Sequence, residues 1–245
     1  MLAHLSEKSE LPRSEWQQAL KKNWYQGEHI VLIGPTGTGK TTLAQPILEI
    51  REWVAILAVK RTDDTLDRFI DGEDGYSRYK VIRKWPPDYG TKKVILWPRP
   101  KDIGAHDDQA NLLYHCLNKV YMSGGWTVYF DEAGYISASL GLGKALGVLL
   151  NQGRSSGITI VATMTRPSSA IAHVPKEALT QCRHVIVFKY TELRELKTCA
   201  DIAGISLKLM QEYQDKLQWR VRDGQRYSDF LYIHNGTVSI VRNEE

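Results

Sequence analysis

The chain has 245 residues, of which 42% are apolar, and its formal net charge is +4. This composition is typical of a packed globular protein and excludes wholesale disorder, while so small a charge does not name a partner. No run of about 18 apolar residues occurs and the amino terminus is too polar for a signal peptide. Three widely spaced cysteines fit buried thiols in a reducing compartment. We therefore expect a cytoplasmic protein that does not insert into a membrane.

The first predicted elements are a loose polar lead, residues 1–13, and a short helix that Ser14 caps and that runs to about Trp24. Gly27 ends this helix. An apolar strand, residues 30–33, follows and stops abruptly at Gly34.

A P-loop motif directly follows this strand. Gly34, Gly39, Lys40 and Thr41 fill the pattern G-x-x-x-x-G-K-[ST]. The glycines let the backbone turn tightly, and the turned N–H groups form an anion site with the N-terminus of the next helix. Lys40 is expected to reach the β- and γ-phosphates of ATP, and the Thr41 hydroxyl to bind Mg²⁺. The predicted ATP-binding residues are Gly34, Pro35, Thr36, Gly37, Thr38, Gly39, Lys40, Thr41 and Thr42.

Residues 53–59 form the next predicted strand, and residues 78–101 are unusually basic. This basic segment holds eight Lys and Arg residues against one acid, Asp88, with four aromatic residues interleaved. Two strands, 79–85 and 93–97, are predicted to form a hairpin there. A basic and aromatic hairpin is typical of a nucleic-acid surface, and the candidate DNA-binding residues are Lys84, Lys92 and Lys93. Lys92 and Lys93 are expected to be the exposed pair; a core strand with solvated flanks is an equally good interpretation.

The remaining elements alternate between helices and strands. Helices are predicted at 110–122, 138–151, 191–203 and 206–217, and strands at 126–130, 158–163 and 184–189. A C-terminal β-hairpin is predicted over residues 230–241, around Asn235-Gly236. This alternation predicts an α/β fold with a mostly parallel central sheet and helices on both faces. Ligands of such sheets bind at the carboxyl ends of the strands.

An acidic pair follows the strand at 126–130. Asp131 and Glu132 after an apolar strand form the Walker B arrangement that accompanies a P-loop. Asp131 is expected to hold Mg²⁺ through its water shell, and Glu132 to orient or deprotonate the attacking water.

Polar residues flank the strand at 158–163. Thr165 or Thr163, at its carboxyl end, can sense the γ-phosphate. Arg154 lies at the opposite end, where it is badly placed for its own site and well placed to reach a neighbouring subunit as an arginine finger in trans. The alternatives are that Arg154 is a solvated arginine at a helix end, or that Arg166 is the finger or sensor.

Residues 152–168, Q-G-R-S-S-G-I-T-I-V-A-T-M-T-R-P-S, resemble a segment of the FtsK/HerA superfamily of P-loop ATPases. The P-loop motif and the Asp131-Glu132-Ala133 string are similar to that family as well. The likeness covers roughly residues 27–205. It departs from the family at the sensor glutamine, where this chain has Thr165. Arg154 matches the family arginine that acts in trans in some members.

This resemblance implies an ATP-driven motor of the RecA/FtsK type that forms a ring of five or six subunits around double-stranded DNA. It also implies three segments: an N-terminal lead and helix at 1–26, a motor domain at 27–205, and an extension of that domain at 206–245. The absence of accessory domains favours a viral, most simply a phage, genome-packaging ATPase that docks on a portal or procapsid in the host cytoplasm. The alternatives are a conjugation or chromosome-processing motor, a filamentous-phage assembly ATPase, and a nucleotide-dependent switch or scaffold with little turnover.

Overall fold

The computed structural model of the chain describes residues 10–72, 75–99, 102, 104–169, 174, 176–222 and 225–243. The strands in these ranges are β1 (Glu10–Pro12), β2 (His29–Ile33), β3 (Val54–Leu57), β4 (Lys80–Ile82), β5 (Lys93–Leu96), β6 (Thr127–Phe130), β7 (Thr159–Met164), β8 (Cys182–Phe188), β9 (Trp219–Arg222), β10 (Gln225–Ser228), β11 (Phe230–His234) and β12 (Thr237–Arg242). The helices are α1 (Arg13–Asn23), α2 (Lys40–Glu49), α3 (Asp67–Asp71), α4 (His106–Ser123), α5 (Ala133–Ala138), α6 (Gly143–Gln152), α7 (Lys176–Leu179), α8 (Leu193–Ala203) and α9 (Leu207–Gln214), and short 3₁₀ turns lie at Asp64–Leu66 and Gly153–Ser156.

Ten of these strands form one sheet in the order β1-β12-β11-β8-β2-β7-β6-β3-β5-β4. Neighbouring strands pair in parallel except at β11, which is antiparallel to both β8 and β12. The strand that leads into the P-loop, β2, lies in the middle of the sheet between β8 and β7. All five of its residues are buried, as expected of an apolar strand covered on both faces.

Helices cover both faces of the sheet. Successive residues of a strand point to opposite faces. Val31 accordingly belongs to a buried cluster that includes side chains of α4, α6, α8 and α9, whereas Leu32 belongs to a cluster that includes side chains of α1, α2 and α3. The predicted fold class, an α/β fold with a mostly parallel sheet and helices on both faces, is confirmed. No helix in the described ranges is long and apolar enough to cross a membrane.

The predicted hairpin within the basic segment is wrong. β4 and β5 pair in parallel, with Lys80 beside Val94 and Ile82 beside Leu96. Residues 83–92 instead return the chain along β4, which is possible because an extended chain spans roughly 3.3 Å per residue and β4 is short. Trp85 of this connection is buried, and the centroid of its ring lies 5.0 Å from that of Trp126. Pro86, Pro87 and Gly90, the turn-forming residues behind the hairpin prediction, therefore belong to a crossover.

The first and last described strands, β1 and β12, pair at one edge of the large sheet. The C-terminal hairpin is confirmed, with positive φ angles at Asn235 (50°) and Gly236 (76°) that these two residue types tolerate. The prediction of a loose lead over residues 1–13 is wrong for its last part, since β1 pairs in parallel with β12 and α1 begins at Arg13. Residues 1–9 of that lead lie outside the described ranges.

The two-stranded sheet of β9 and β10 was not predicted from the sequence. The side chains of Trp219 and Val221 in β9 are 54% and 61% exposed. An Asp-Gly pair at 223–224 in the sequence is the signal that could have predicted a hairpin here. Because β11 and β12 belong to the same sheet as β2, the C-terminal segment packs against the rest of the fold. The division into three segments at 26 and 205 stays a prediction.

Candidate nucleotide-binding site

The P-loop connects the carboxyl end of β2 to the first residue of α2. Gly37 and Gly39 have φ angles of 77° and 89°, which side chains with a Cβ rarely adopt. At Gly34 the reason for glycine is contact, because a Cβ there would lie 2.7 Å from the Cβ of Phe188. The Thr38 hydroxyl donates to the Pro35 carbonyl at 2.8 Å and closes the turn. Residues 36–43, which include the first turn of α2, border a cleft above the loop, and the first N–H groups of a helix have no partner within the helix.

Lys40 is held against this loop. Its ammonium group donates to the carbonyl oxygens of Gly34 at 2.7 Å and Pro35 at 3.0 Å, and the residue is 9% exposed. Burial lowers the pKa of Lys40, although the carboxylates of Glu132 and Asp131 act in the opposite direction. The Lys40 ammonium, which is predicted to bind phosphate, is thus a positive charge in a partly desolvated position. Its attraction for a bound anion is stronger there than in water.

Thr41 and Asp131, the two predicted magnesium ligands, are brought together. The Thr41 hydroxyl donates to Asp131 Oδ1 at 3.0 Å, and the Tyr129 hydroxyl donates to the same oxygen at 2.7 Å. Burial raises the pKa of Asp131 to about 6, against the effect of these hydrogen bonds. A hydroxyl and a carboxylate oxygen are donors that Mg²⁺ prefers.

These residues fit a magnesium ion that is bound mainly by phosphates and water. In the described part of the chain, no three His, Cys, Asp or Glu side chains gather into an all-protein metal site. Mg²⁺ in nucleotide sites takes only one or two protein oxygens, with phosphates and water supplying the others. The Thr41 hydroxyl would supply one such oxygen, and Asp131, which accepts its hydrogen bond, would hold a water of the ion's shell.

Glu132 differs from Asp131 in its surroundings. Asp131 is 4% exposed, whereas the Glu132 side chain is 33% exposed and borders the cleft directly before α5. A water molecule in the cleft can therefore reach the Glu132 carboxylate. The two adjacent acids are therefore suited to different tasks: the buried Asp131 to holding a metal ion, and the more exposed Glu132 to proton transfer.

Lys60 is a residue of the site that the sequence analysis missed. Its ammonium group lies 3.0 Å from Asp63 Oδ2, 3.7 Å from Asp131 Oδ2 and 3.9 Å from Glu132 Oε1. The residue follows the carboxyl end of β3, the strand next to β6 in the sheet. The signal was available, since polar residues that follow parallel strands meet at one edge of the sheet.

The backbone at Lys60 is fixed by residues from neighbouring elements. Its carbonyl accepts a hydrogen bond from Trp97 Nε1 at 2.7 Å, and the Val59 carbonyl accepts one from Gln109 Nε2 at 2.8 Å. Both donor residues are buried. The position of the Lys60 ammonium relative to the acidic pair is therefore set by β5 and α4 as well as by β3.

Both candidate sensor threonines border the cleft at the end of β7. Thr163 is 1% exposed and donates to the Phe130 carbonyl at 3.3 Å, while the Thr165 carbonyl accepts a hydrogen bond from the Tyr190 hydroxyl. The Thr163 hydroxyl is thus already engaged with β6. Thr165 follows the strand and is partly exposed, so its side chain has freer access to the cleft.

Arg154 is far from this cleft. It lies in the 3₁₀ turn Gly153–Ser156, before the amino end of β7, as the sequence predicted, and it is exposed. A Cβ at Gly27 would lie 2.9 Å from the Arg154 carbonyl, so this turn packs closely on the start of β2. Arg166 is also exposed, one residue beyond Thr165. A role of Arg154 in another subunit's site stays a prediction.

The three candidate DNA-binding lysines are not equivalent. Lys84 is exposed in the crossover before β5. Lys92 is exposed and pairs with Glu52, with its ammonium 5.8 Å from the centroid of the Trp53 ring. The expectation that Lys93 is exposed is wrong, because its side chain is 13% exposed and bonds Glu49 at 2.6 Å. Lys93 is held by a carboxylate at the end of α2, which sequence proximity does not reveal.

The cleft above the P-loop has a volume of about 450 Å³, within the range of small-molecule sites. Along one half it is bordered by the P-loop, the acidic pair, Lys60 and the two threonines. Along the other half it is bordered by Arg13, Phe188, Ser228, Phe230 and Asn243. Among the predicted site residues, 36–42, Asp131, Glu132, Thr163 and Thr165 border this cleft. The predicted residues that do not border it are Gly34, Pro35, Arg154, Arg166, Lys84, Lys92 and Lys93.

The fold and this site define the class of the protein as a P-loop NTPase fold. No protein-family model matches the chain, and no curated protein matches it. Solved structures do match. The genome packaging NTPase B204 from Sulfolobus turreted icosahedral virus 2, in complex with AMPPCP, has a TM-score of 0.61 and 16% identity over 89% of this chain and 98% of that chain.

Two further solved structures also match the fold of this chain. B204, the DNA-packaging ATPase from Sulfolobus turreted icosahedral virus, has a TM-score of 0.58 and 17% identity over 90% of this chain and 100% of that chain. The cytoplasmic domain of the Thermomonospora curvata type VII secretion ATPase EccC has a TM-score of 0.53 and 14% identity over 89% of this chain and 25% of that chain. At these identities the likeness establishes the fold. The resemblance inferred from the motifs is confirmed at that level.

Proposed function

We propose that this protein is an ATPase that drives the translocation of double-stranded DNA, and that it packages a viral genome. One observation carries the ATPase step: Lys40, Thr41, Asp131 and Glu132 meet in a single cleft at the carboxyl edge of the sheet. The packaging step is supported by the solved structures that match nearly end to end, which are genome-packaging NTPases by their descriptions.

The hydrolytic roles follow from the surroundings of each residue. The P-loop N–H groups and Lys40 bind the phosphates, and Thr41 and Asp131 hold Mg²⁺, which neutralises charge on the phosphates when bound. Glu132 orients the attacking water and accepts its proton, since it is the acid that water in the cleft can reach. Thr165 takes the place of the family's sensor glutamine with a shorter side chain.

Oligomerisation would complete the site. Within one chain, the cleft is bordered by Arg13, Lys40, Lys60 and Arg68, while Arg154 lies beyond the opposite ends of the strands. A ring of five or six subunits would bring Arg154 of one subunit to the cleft of the next, where it stabilises charge on the transferred phosphoryl group. The ring would dock on a portal or procapsid in the host cytoplasm.

DNA contact would rest on exposed cations of the crossover and of the start of β5. Lys84 and Lys92 are exposed, and Lys92 lies above an aromatic ring. Such residues bind phosphates without reading bases, as a motor that moves along any sequence requires. Lys93 contributes to this surface only indirectly, since it pairs with Glu49.

A second candidate function is a motor that moves protein or conjugative DNA. The likeness to the secretion ATPase EccC, of which this chain spans about a quarter, favours the protein-moving form. The third, a nucleotide-dependent switch, rests on Thr165 at the sensor position, and an accessible Glu132 argues against it.

Steady-state ATP hydrolysis with and without linear double-stranded DNA, at two salt concentrations, tests the proposal. We expect stimulation by DNA that weakens steeply as salt rises, because each neutralised phosphate releases counterions. Hydrolysis that ignores DNA would favour the protein-moving function. ATP binding without hydrolysis, in the presence of DNA at both salt concentrations, would favour the switch.

A further inference from the structure

The cleft extends well past the residues that would hold phosphates. On one side of β2, β7 and β6 lead to Asp131; on the other side, β8, β11 and β12 lead to the group that borders the second half of the cleft. Neighbouring strands lie about 4.8 Å apart, so β12 is about 14 Å from β2 across the sheet. Phe188, at the end of β8, lies against Gly34 of the P-loop, whereas Asn243 follows β12, so a ligand anchored by its phosphates on the P-loop can reach Asn243 only with another part of its structure.

The second half of the cleft combines aromatic rings with a hydroxyl that lacks a partner. The rings of Phe188 and Phe230 have centroids 5.6 Å apart and both border the cleft. The Ser228 side chain is 7% exposed, and among the described residues its hydroxyl has no hydrogen-bond partner. A buried polar group without a partner is destabilising, and native proteins retain few of them without a reason.

Asn243 brings an amide to the same place and is held there by its backbone. Its N–H donates to Asp229 Oδ1 at 3.1 Å, and Arg242 Nη1 donates to Asp229 Oδ2 at 2.6 Å. Asp229 is 2% exposed and lies directly between Ser228 and Phe230. The Asn243 side-chain oxygen accepts from Arg13 Nη1 at 3.4 Å. One buried carboxylate thus fixes the segments that carry the hydroxyl, the amide and one aromatic ring.

We propose that Phe188, Ser228, Phe230 and Asn243, together with Arg13, form the subsite for the purine base of the bound nucleotide. The inference rests on the proposed function, because it presumes that the triphosphate lies on the P-loop. A purine has apolar faces that pack on aromatic rings, and its edge carries both donors and acceptors. A hydroxyl and an amide can serve either kind of edge group, whereas a further phosphate would need neither aromatic ring.

The subsite joins the two ends of the described chain to nucleotide binding. Arg13 begins α1 beside β1, and Asn243 follows β12, which pairs with β1. Arg242 also bonds Glu10 of β1, at 3.1 and 2.9 Å. The bound base would therefore contact the edge of the sheet that the terminal strands build, at the far end of the cleft from Asp131.

The test compares two ligands that differ only in the presence of a nucleoside: ATP and inorganic tripolyphosphate, each with Mg²⁺, titrated by calorimetry into the full chain. The variants are Ser228→Ala and Asn243→Ala, and their matched controls are Ser123→Ala and Asn151→Ala, which change the same residue types outside the cleft. Lys40→Ala reports on the triphosphate site itself.

We expect the wild-type protein to bind ATP more tightly than tripolyphosphate. Ser228→Ala and Asn243→Ala should each weaken ATP binding roughly three- to ten-fold, the effect of one lost hydrogen bond, and leave tripolyphosphate binding unchanged. Ser228→Ala should also unfold at the same or a higher temperature without ligand, because it removes a hydroxyl that has no partner. Lys40→Ala should weaken both ligands.

Three results would overturn the inference. One is equal affinity of the wild-type protein for ATP and tripolyphosphate. Another is that Ser228→Ala and Asn243→Ala both bind ATP and tripolyphosphate as tightly as the wild-type protein does. The third is an equal loss of both ligands, which would mean that the residues act through the P-loop. If the wild-type protein binds neither ligand, the proposed function itself fails, and this outcome is distinct from the other three.

Discussion

Lys60 Nζ lies 3.7 Å from Asp131 Oδ2 and 3.9 Å from Glu132 Oε1, so one ammonium group faces both acids of the Walker B pair. Burial alone would lower the pKa of Lys60, but the hydrogen bond and charge of Asp63 and the charges of the two Walker B acids raise it. Lys60 therefore stays charged beside the group that activates water. This arrangement ties the end of β3 to the chemistry at the end of β6.

Replacing Lys60 by methionine should slow ATP hydrolysis while ATP still binds. We expect kcat to fall on the order of ten-fold, about 1.4 kcal/mol of activation free energy, because Glu132 loses the cation that orients it. Steady-state kinetics and calorimetry measure the two effects separately. Lys80→Met is the matched control, since Lys80 pairs with the exposed Asp88. Equal kcat values for the two variants would show that Lys60 does not contribute to hydrolysis.

Glu132→Gln should bind ATP with nearly wild-type affinity and hydrolyse it about 10²- to 10⁴-fold more slowly, because an amide cannot accept the proton of water. Lys40→Ala should instead lose ATP binding. Calorimetry with Mg·ATP and a phosphate-release assay distinguish the two. Unchanged turnover in Glu132→Gln would be incompatible with its role as the base.

Arg154 should act only between subunits, because it lies beyond the amino end of β7 and the cleft is at the carboxyl edge of the sheet. Arg154→Ala subunits and Lys40→Ala subunits should each be nearly inactive alone. Mixed rings should regain part of the ATPase activity, since some interfaces then combine an intact P-loop with an intact arginine. Arg166→Ala is the comparison, and it should not give this complementation. Absence of rescue at every mixing ratio would count against a finger in trans.

Lys92 and Lys93 should respond differently to neutralisation. Lys92→Gln should reduce the dependence of DNA binding on salt by about one phosphate contact, with little change in unfolding temperature. Lys93→Gln should destabilise the fold, because among the described residues it leaves the partly buried Glu49 carboxylate with only Ser77 as its side-chain partner. Filter binding at several salt concentrations and thermal unfolding check both. A lower unfolding temperature for Lys92→Gln than for Lys93→Gln would contradict the assignment of exposure.

His29 should make stability depend on pH. Its Nδ1 accepts from the Ile160 N–H at 3.0 Å and its Nε2 donates to the Leu150 carbonyl at 3.1 Å, so the neutral ring satisfies both partners. Burial lowers the pKa of His29 to about 4, from 6.5 in an unfolded chain. Between these values the unfolded state binds more protons, so the contribution is present above pH 6.5 and is lost as pH falls toward 4.

Urea unfolding at pH 7 and pH 5 measures this contribution, which should be about 2 kcal/mol for His29. His29→Asn should be less stable at pH 7 but lose less stability between the two pH values, since an amide takes up no proton. His115→Gln, at an exposed histidine, should keep the wild-type difference. If His29→Asn loses as much stability between pH 7 and pH 5 as the wild-type protein does, the effect belongs to other groups.

Local patterns predicted the parts of the site that are contiguous in sequence. The P-loop from Gly34 to Thr42 and the acids Asp131 and Glu132 each follow an apolar strand, and polar residues after parallel strands meet at one edge of a sheet. The fold class followed from the alternation of helices and strands. The C-terminal hairpin followed from Asn235-Gly236, whose positive φ angles are a property of those two residues alone.

The errors arose where pairing is decided over long distances. Proline and glycine between two short strands fit a hairpin turn and a crossover equally well, and only the neighbours in the sheet made β4 and β5 parallel. Lys93 is basic and adjacent to Lys92, but its exposure depends on Glu49 at the end of α2. Residues 10–12, predicted to be part of a loose lead, form a strand because they pair with β12 at the edge of the sheet.

The sequence by itself thus determined the nucleotide chemistry, because a P-loop and an acidic pair are short motifs whose backbone geometry is local. Tertiary structure alone decided which further residues join that chemistry. Lys60, Ser228 and Asn243 belong to no motif, and they reach the cleft only because strand order and direction bring the end of β3, the start of β11 and the end of β12 to the same edge of the sheet as the ends of β2 and β6. Strand order is set by the burial of apolar strands against one another, which depends on the whole chain.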